Sequence, residues 1–506
     1  MNARATDDQG VAFPEVDGRR STTATGRGVF ADAARTVDPA LADAIEQASD
    51  WRDSYLGYAR RLLEASMTTR HEPATLARAG LDSLYGRFEF VRDGRRMPLI
   101  DAVGADTTQP LHTVEVSGHR EIGPGQLSVP YRGGRLSGDD LHRQLDTWTA
   151  NGTVEPTFAE AIRAVMANPD WLDLSEHTVV VLGAGAEMGP LHSLSRWRAT
   201  VVPVDLPNAA IWERIIATVR QGAGRALVPT RTPRHHGDSD DDIAAVAGVD
   251  LVTGLPEVAQ WLRGIDGPLT VGNYVYADGA THVRVSMAVD AVATHLLGTR
   301  DDVSLAVLAT PTDVFAVPED VVEWSRRSYA DQGVTSLLKG ITRTATRGRL
   351  FAPNYERLLT TPDGRRVGIA DCLVKQQGPN YALAKRLQRW RATTAHAEGI
   401  LTSVNVAPPT RTRSVLRNRA LAAAYAGASR FGVEVFDPST SNTLMAAMLV
   451  HDLRNDKSIA NPGMAMDHPQ QLFWDGANHG GLWRNPYAAR SVLGLAVVLG
   501  MVPRGA

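Results

Sequence analysis

Cysteine is almost missing from this chain: Cys372 is the single one among 506 residues. No disulfide can close within it and a cysteine-rich zinc site is excluded, which points to a reducing, cytoplasmic setting. An excess of charge of one sign is missing too. Against 56 Asp and Glu stand 53 Lys and Arg, a formal net charge of -3. Such a balance makes no overall basic field for nucleic acid or an anionic membrane, and neither is expected as a partner. Long apolar runs are also lacking. The most apolar stretch near the end, SVLGLAVVLGMV (491–502), falls short of the ~20 residues a bilayer requires and reads as a buried helix or strand. Residues 1–28 are polar, lack the apolar core of a signal peptide, and read as a loose, disordered tail. What remains, 43% hydrophobic and 22% charged, is ordinary globular material, long enough for two or three domains.

Two kinds of pattern divide that length. Residues 29–172 read as a mainly helical N-terminal domain. ALADAIEQASDWRDSYLGYARRLLEASM (40–67) places apolar residues at helical spacing. LSGDDLHRQLDTWTANG (136–152) reads as a helix capped by Ser137 with Asp140 three residues on. EPTFAEAIRAVMANPDWLDL (155–174) reads as another, and GQLSVPYRGGRL (125–136) as a strand and turn. From about 173 to 506, short β-branched runs alternate with helical segments: HTVVVLGAG, RATVVPVDL, RALVPTR, VSLAVLATP, RRVGIADCLV and LTSVNVAP. Runs apolar on both faces belong in a parallel sheet, and helices between them imply right-handed crossovers. The fold class is therefore α/β. PLTVGNYVYADGATHVRVSMAVDAVATHLL (268–297) reads as an insertion, a strand or hairpin and then a helix, with Tyr274 and Tyr276 left outside the site. TPRHHGDSDDD (232–242) puts His235 and His236 beside four aspartates. A solvated charged loop is the preferred reading there, and no metal is expected.

TVVVLGAGAEMGP (178–190) carries the first chemical signal. A hydrophobic strand ends at Leu182, and Gly183, Gly185 and Gly189 follow, with Glu187 and Met188 inside the same turn. The first glycine permits the tight turn, the second lets a diphosphate approach the backbone, and the third lets the next helix pack close. Amides at that helix start are expected to bind the phosphates. A second strand ends in Asp205, about 20 residues on, where a carboxylate accepts from an adenosine ribose and repels a 2′-phosphate. This favours NAD(H) over NADP(H). Two other readings share the pattern: a purely structural strand-turn-helix, and a methyltransferase that binds S-adenosylmethionine.

The second signal is NYALAKRLQRW (380–390), where Tyr381 and Lys385 are four apart on a helical segment and so share one face. An ammonium beside a phenol stabilises the phenolate and lowers the tyrosine pKa toward working pH. Tyr381-Ala-Leu-Ala-Lys385 resembles the Y-x-x-x-K pattern of short-chain dehydrogenases/reductases. TSVNVAPPTRT (402–412) resembles the strand and V-N-x-x-x-P-G turn that follow it in that family, with Pro409 in place of the glycine. Asp250 with Leu251 resembles the acidic position after the third strand. Thr310 with Pro311 stands where the fourth strand has Asn-Asn-Ala-Gly.

The resemblance spans roughly 178–500. It implies a Rossmann-type doubly wound sheet and a homodimer or tetramer. Lys385, Asp250, Leu251, Thr310, Pro311, Pro408, Thr410 and Thr412 would join the glycine turn and Asp205 around NAD. The family carries a Ser about 13 residues before the Tyr, and Gly368 stands there instead. Gln377 is then the candidate to polarise a substrate oxygen, because its amide can donate.

The expected activity is NAD(P)-dependent oxidoreduction of a fairly apolar carbonyl, alcohol or enone, with Tyr381 as acid/base and Lys385 as modulator. The missing serine leaves room for a non-redox lyase or isomerase, or for a protein that binds NAD without turnover. Residues 431–456 and 470–491 fill the place of a substrate lid. Trp474, Trp483, Phe473 and Tyr487 there fit a movable apolar pocket wall or a packed segment equally well. His479 among them is read as structural rather than as a second acid/base.

Overall fold

A computed structural model describes residues 9–121, 125–233, 238–331, 346, 349–361 and 364–501. Its centre is a seven-stranded sheet of β1 (His112–Ser117), β2 (Thr178–Leu182), β3 (Thr200–Val204), β4 (Arg225–Thr230), β5 (Leu269–Asn273), β6 (Val303–Ala309) and β7 (Thr402–Val406). The strands lie in the order β7-β6-β5-β2-β3-β4-β1. All neighbours are parallel except β1, which runs antiparallel to β4 at the edge. Counted from β2, the parallel strands stand in the order 6-5-4-1-2-3, consistent with a Rossmann-like α/β fold. The order reverses between β2 and β5, so a crevice opens there at the carboxyl ends of the strands.

The helices used below are α1 (Thr22–Arg35), α2 (Trp51–Ala65), α3 (Glu72–Tyr85), α4 (Gly138–Ala150), α5 (Pro156–Ala167), α6 (Leu191–Arg196), α7 (Ala209–Arg220), α8 (Gly279–Thr299), α9 (Gly378–Ala397), α10 (Arg419–Ala428), α11 (Pro438–Arg454) and α12 (Ala489–Met501). The sheet has an apolar core on each side, because successive strand residues point to opposite faces. Val180, Leu182, Val202 and Val204 pack with Phe30 of α1, Tyr55 of α2, Leu81 of α3, Met287 of α8 and Leu387 of α9. Val179, Val181 and Val201 face the other way, with Leu141 of α4, Phe158 of α5, Trp212 of α7 and Leu444 of α11.

The boundary expected at residue 172 therefore does not separate two cores. β1 comes from the first 172 residues and joins the central sheet, and α1 to α3 pack on α9. Gly80 of α3 sits so close to Trp390 of α9 that a Cβ would meet the indole at 2.4 Å. Arg391 of α9 grips Asp290 of α8 at 2.8 and 2.9 Å, and the Tyr85 hydroxyl of α3 donates to the same carboxylate at 2.7 Å.

The tail expected over 1–28 is likewise corrected where it is described; residues 1–8 lie outside the described residues. Gly10–Ala12 is a buried strand paired with Glu89–Arg92, and Arg284 of α8 donates to the carbonyls of Val11 and Gln9 at 2.7 and 2.6 Å. Ser21 caps α1 through Ala24 N at 3.1 Å. Ser137 does precede α4, but its side chain makes no cap hydrogen bond. His235 and His236 lie outside the described residues.

Two further expectations change. Residues 268–297 are no insertion: they are β5 and α8, the fourth parallel strand and its crossover helix. RRVGIADCLV, which looked like one more parallel strand, instead forms Arg366–Asp371, antiparallel to both Val314–Pro318 and Leu359–Thr360 in a separate small sheet. That small sheet is inserted between β6 and α9. The apolar C-terminal stretch is helix α12, packed backbone to backbone on α10. A Cβ on Gly427 or Gly500 would meet a carbonyl of the facing helix at 2.0 or 1.9 Å. Among the described residues no helix is long and apolar enough to cross a membrane.

Candidate active site at the carboxyl ends of the strands

The glycine turn leaves the end of β2 at the point where the strand order reverses. Gly183 has a φ of 85°, and a Cβ there would stand 3.0 Å from the Tyr274 carbonyl at the end of β5. Only glycine lets the two strand ends approach this closely. The turn satisfies much of its own backbone: Ala186 N donates to Gly183 O and Gly189 N to Ala186 O, both at 3.0 Å. Gly185 N donates to Asp205 Oδ2 at 2.7 Å, and Leu206 N to Oδ1 at 2.8 Å. Asp205 thus lies under the turn, as expected, and each of its oxygens keeps a lone pair for a further donor. Burial pushes its pKa up, against the pull of those amides.

The phosphate expectation needs correction in one respect. Helix α6 has only six residues and is capped by Pro190, which has no N–H, so its dipole offers little. The amides of Glu187 and Met188 are outside the turn's own bonds and are the available donors. The Glu187 carboxylate is already taken: Arg413, in the segment after β7, donates to it through its backbone N at 2.6 Å and through Nε at 3.2 Å. Asp250 lies beside Asp205, since Val249 N donates to Asp205 O at 2.9 Å. Its side chain caps Val252 N at 2.9 Å, and Leu251 is buried in the core. Thr410 is buried, with its hydroxyl on Pro408 O and Ser441 Oγ, and Thr412 shares a hydrogen bond with Ser414. Pro408, Thr410 and Thr412 therefore shape the turn after β7 rather than presenting free donors.

Tyr381 and Lys385 stand on the first turns of α9, both half-buried, with Lys385 Nζ 5.9 Å from the Tyr381 ring centroid. Thr310, at the end of β6 with its neighbour Pro311, lies close enough to Tyr381 to pull its pKa down. Because the small sheet is inserted between β6 and α9, the strand that precedes the Tyr/Lys helix in space is β6. The hydroxyl nearest Tyr381 on that strand is thus Thr310, far upstream of Gly368 in the chain. Thr310 Oγ1 also meets Thr312 Oγ1 at 2.9 Å. Gln377 is no candidate for the substrate oxygen. Its Nε2 donates to Thr312 O at 2.9 Å and to Thr312 Oγ1 at 3.1 Å, and its Oε1 accepts from Val374 N at 2.9 Å. It clamps the Thr310–Thr312 loop, and the buried Asp313 anchors the same loop on Arg386 at 2.7 Å and Arg389 at 3.2 Å.

The electrostatics run against the expected lowering of the tyrosine. Burial pushes Tyr381 above the ordinary phenol value, and the nearby Thr310 only partly offsets this. Burial also pulls Lys385 down to about 8, against the attraction of Asp313. Its Nζ donates to Gln388 Oε1 at 3.0 Å, and Gln388 reaches Asn273 of β5 at 3.4 Å. Tyr381 is held as a phenol, a proton donor, with a cation close by that titrates near neutral pH.

His282, on the first turn of α8, belongs to the same cluster and escaped the sequence reading. It is 1% exposed, its ring lies 5.6 Å from that of Tyr381 and 5.3 Å from that of Tyr276, and neither ring nitrogen has a hydrogen-bond partner. Each unpaired buried nitrogen costs about 1–3 kcal/mol. Burial, helped by Lys385, pushes its pKa down to about 3, so the imidazole is neutral. The signal that would have found it was the strand LTVGN: read as the fourth βα unit, it puts His282 at the start of a crossover helix and Thr310 before the Tyr/Lys helix. The C-terminal aromatics take the packed alternative. Phe473 and Trp483 are buried against Phe315, and the Arg389 guanidinium lies 4.2 Å from the Phe315 ring and 4.7 Å from that of Phe473.

Comparison with family models, with curated proteins and with solved structures found no match.

Proposed function

We propose that the chain is an NAD(H)-dependent oxidoreductase acting on a small, largely apolar carbonyl or alcohol. The observation that carries this reading is Tyr381 beside Lys385, with Thr310 close by, at the same end of the sheet as the glycine turn and Asp205. The turn fits a dinucleotide in its donors: the Glu187 and Met188 amides suit a diphosphate, and the Asp205 oxygens suit the hydroxyls of a ribose. Arg413, held at the turn by Glu187, adds a cation there.

A nicotinamide bound in this crevice supplies or accepts hydride at the substrate carbon. Thr310 donates a hydrogen bond to the substrate oxygen, which polarises a carbonyl. Tyr381 gives its hydroxyl proton to that oxygen as the carbonyl becomes an alcohol, and regains it in the reverse direction. Lys385 stabilises the tyrosinate left behind. The raised pKa keeps the proton on Tyr381 at working pH, and a bound cofactor and substrate would have to lower it for transfer to be efficient.

Titration with NADH, NADPH and S-adenosylmethionine, read by nicotinamide fluorescence and thermal shift, tests the reading. NADH binding tighter than NADPH binding supports it. Binding of S-adenosylmethionine alone would make the chain a methyltransferase candidate instead, and Tyr381 a side chain without a catalytic role.

A further inference from the structure

We propose that His282 is a ligand-binding residue of this site, exchanging hydrogen bonds with an uncharged group, an amide or a hydroxyl, of the molecule bound over Tyr381. The proposal rests on the oxidoreductase reading for the identity of that molecule, and on the geometry for the rest. The imidazole is enclosed by protein and stands against the Tyr381 ring, yet both of its nitrogens lack partners. Buried polar groups in folded proteins are otherwise nearly always paired, so a partner from outside the chain is implied. A neutral imidazole offers one donor and one acceptor, which an amide or hydroxyl matches and a carboxylate does not. A cation is disfavoured by the nearby Lys385.

Access runs past Tyr276. Its ring lies 5.3 Å from His282 and is 54% exposed, with its hydroxyl tied only to Asp278 at 3.2 Å. Tyr276 precedes α8, so its ring can turn away without unwinding that helix. Two sources supply the same chemistry: the carboxamide of the nicotinamide, or a polar substituent of the substrate.

The test compares wild type with His282→Phe and His282→Gln. The first readout is the melting temperature without ligand. The others are the NADH dissociation constant and the KM for the best carbonyl found in a substrate screen. The expected result is an unchanged or higher melting temperature for His282→Phe, together with binding at least tenfold weaker, restored in part by Gln. Weaker NADH binding assigns the carboxamide, and a raised KM with NADH binding intact assigns the substrate. A melting temperature several degrees lower in His282→Phe overturns the proposal, because the imidazole is then already satisfied within the protein, for instance by buried water. So does unchanged ligand binding in both variants. If wild type binds no NADH, the oxidoreductase reading fails, while the melting temperature still decides whether His282 awaits a ligand.

Discussion

Two buried histidines, His282 and His479, have the same exposure and opposite surroundings. His479 donates from Nε2 to Glu155 at 2.8 Å, accepts at Nδ1 from Gly481 N at 3.1 Å, and stacks on Trp483. Glu155 in turn holds Arg484 at 2.9 and 2.7 Å, and Arg484 reaches Asp320 at 2.7 Å. Both nitrogens of His479 are thus paired within the fold. His282 works for nothing visible within the chain, and it stands next to the tyrosine and lysine. Burial alone therefore does not mark function; His282 stands apart because its unpaired nitrogens lie beside Tyr381 and Lys385.

The comparison breaks if the two clusters respond alike to mutation. Tyr381→Phe is expected to lower turnover by about 10²–10⁴-fold with the melting temperature nearly unchanged, measured by steady-state kinetics and calorimetry. A mild effect on turnover would remove the tyrosine from the chemistry. Glu155→Ala is expected to do the reverse. Leaving Arg484 and His479 buried without their carboxylate destabilises by about 3–5 kcal/mol, measured by urea unfolding.

Lys385→Met separates function from stability within one residue. It is expected to abolish most turnover while raising stability by about 1–2 kcal/mol at pH 7, since a desolvated cation is replaced by an apolar chain. The folded-state pKa of Lys385 lies below the unfolded one, so the unfolded chain holds more protons between about pH 8 and 10.5. Wild-type stability should then rise through that window, and the rise should be smaller in the Met variant.

A further effect concerns acid. His282 is neutral in the fold down to about pH 3 and protonates at about 6.5 when unfolded. Stability tied to it is present above pH 6.5 and lost as pH falls, by about 2 kcal/mol at pH 5. His282→Phe should remove that part of the acid sensitivity, seen as a smaller fall in melting temperature between pH 7 and 5.

Much of the sheet was legible. The strands ending at Leu182, Val204, Thr230, Ala309 and Val406 are short apolar runs, and a run apolar on both faces has few places to go other than the middle of a sheet. RRVGIADCLV fits the same description but pairs antiparallel in a side sheet. A run's composition reports its burial, not its neighbour. The same limit turned β5 into an insertion and sent the search for a polarising side chain to Gly368 and Gln377. The first 172 residues hid their role for a similar reason. Helical spacing in α1 to α3 shows that one face is apolar, without showing that it rests on α9.

By itself the sequence determined the local geometry. Tyr381 and Lys385 share a helix face because i and i+4 are one turn apart, and Gly183 allows a tight turn because it has no Cβ. Only the tertiary structure decided that Asp313 anchors on Arg386 and Arg389, that Gln377 is a clamp, and which of two buried histidines is left without partners. Those are questions of hydrogen-bond pairing between segments far apart in the chain, and pairing at long range is fixed by how the layers pack rather than by any spacing along the sequence.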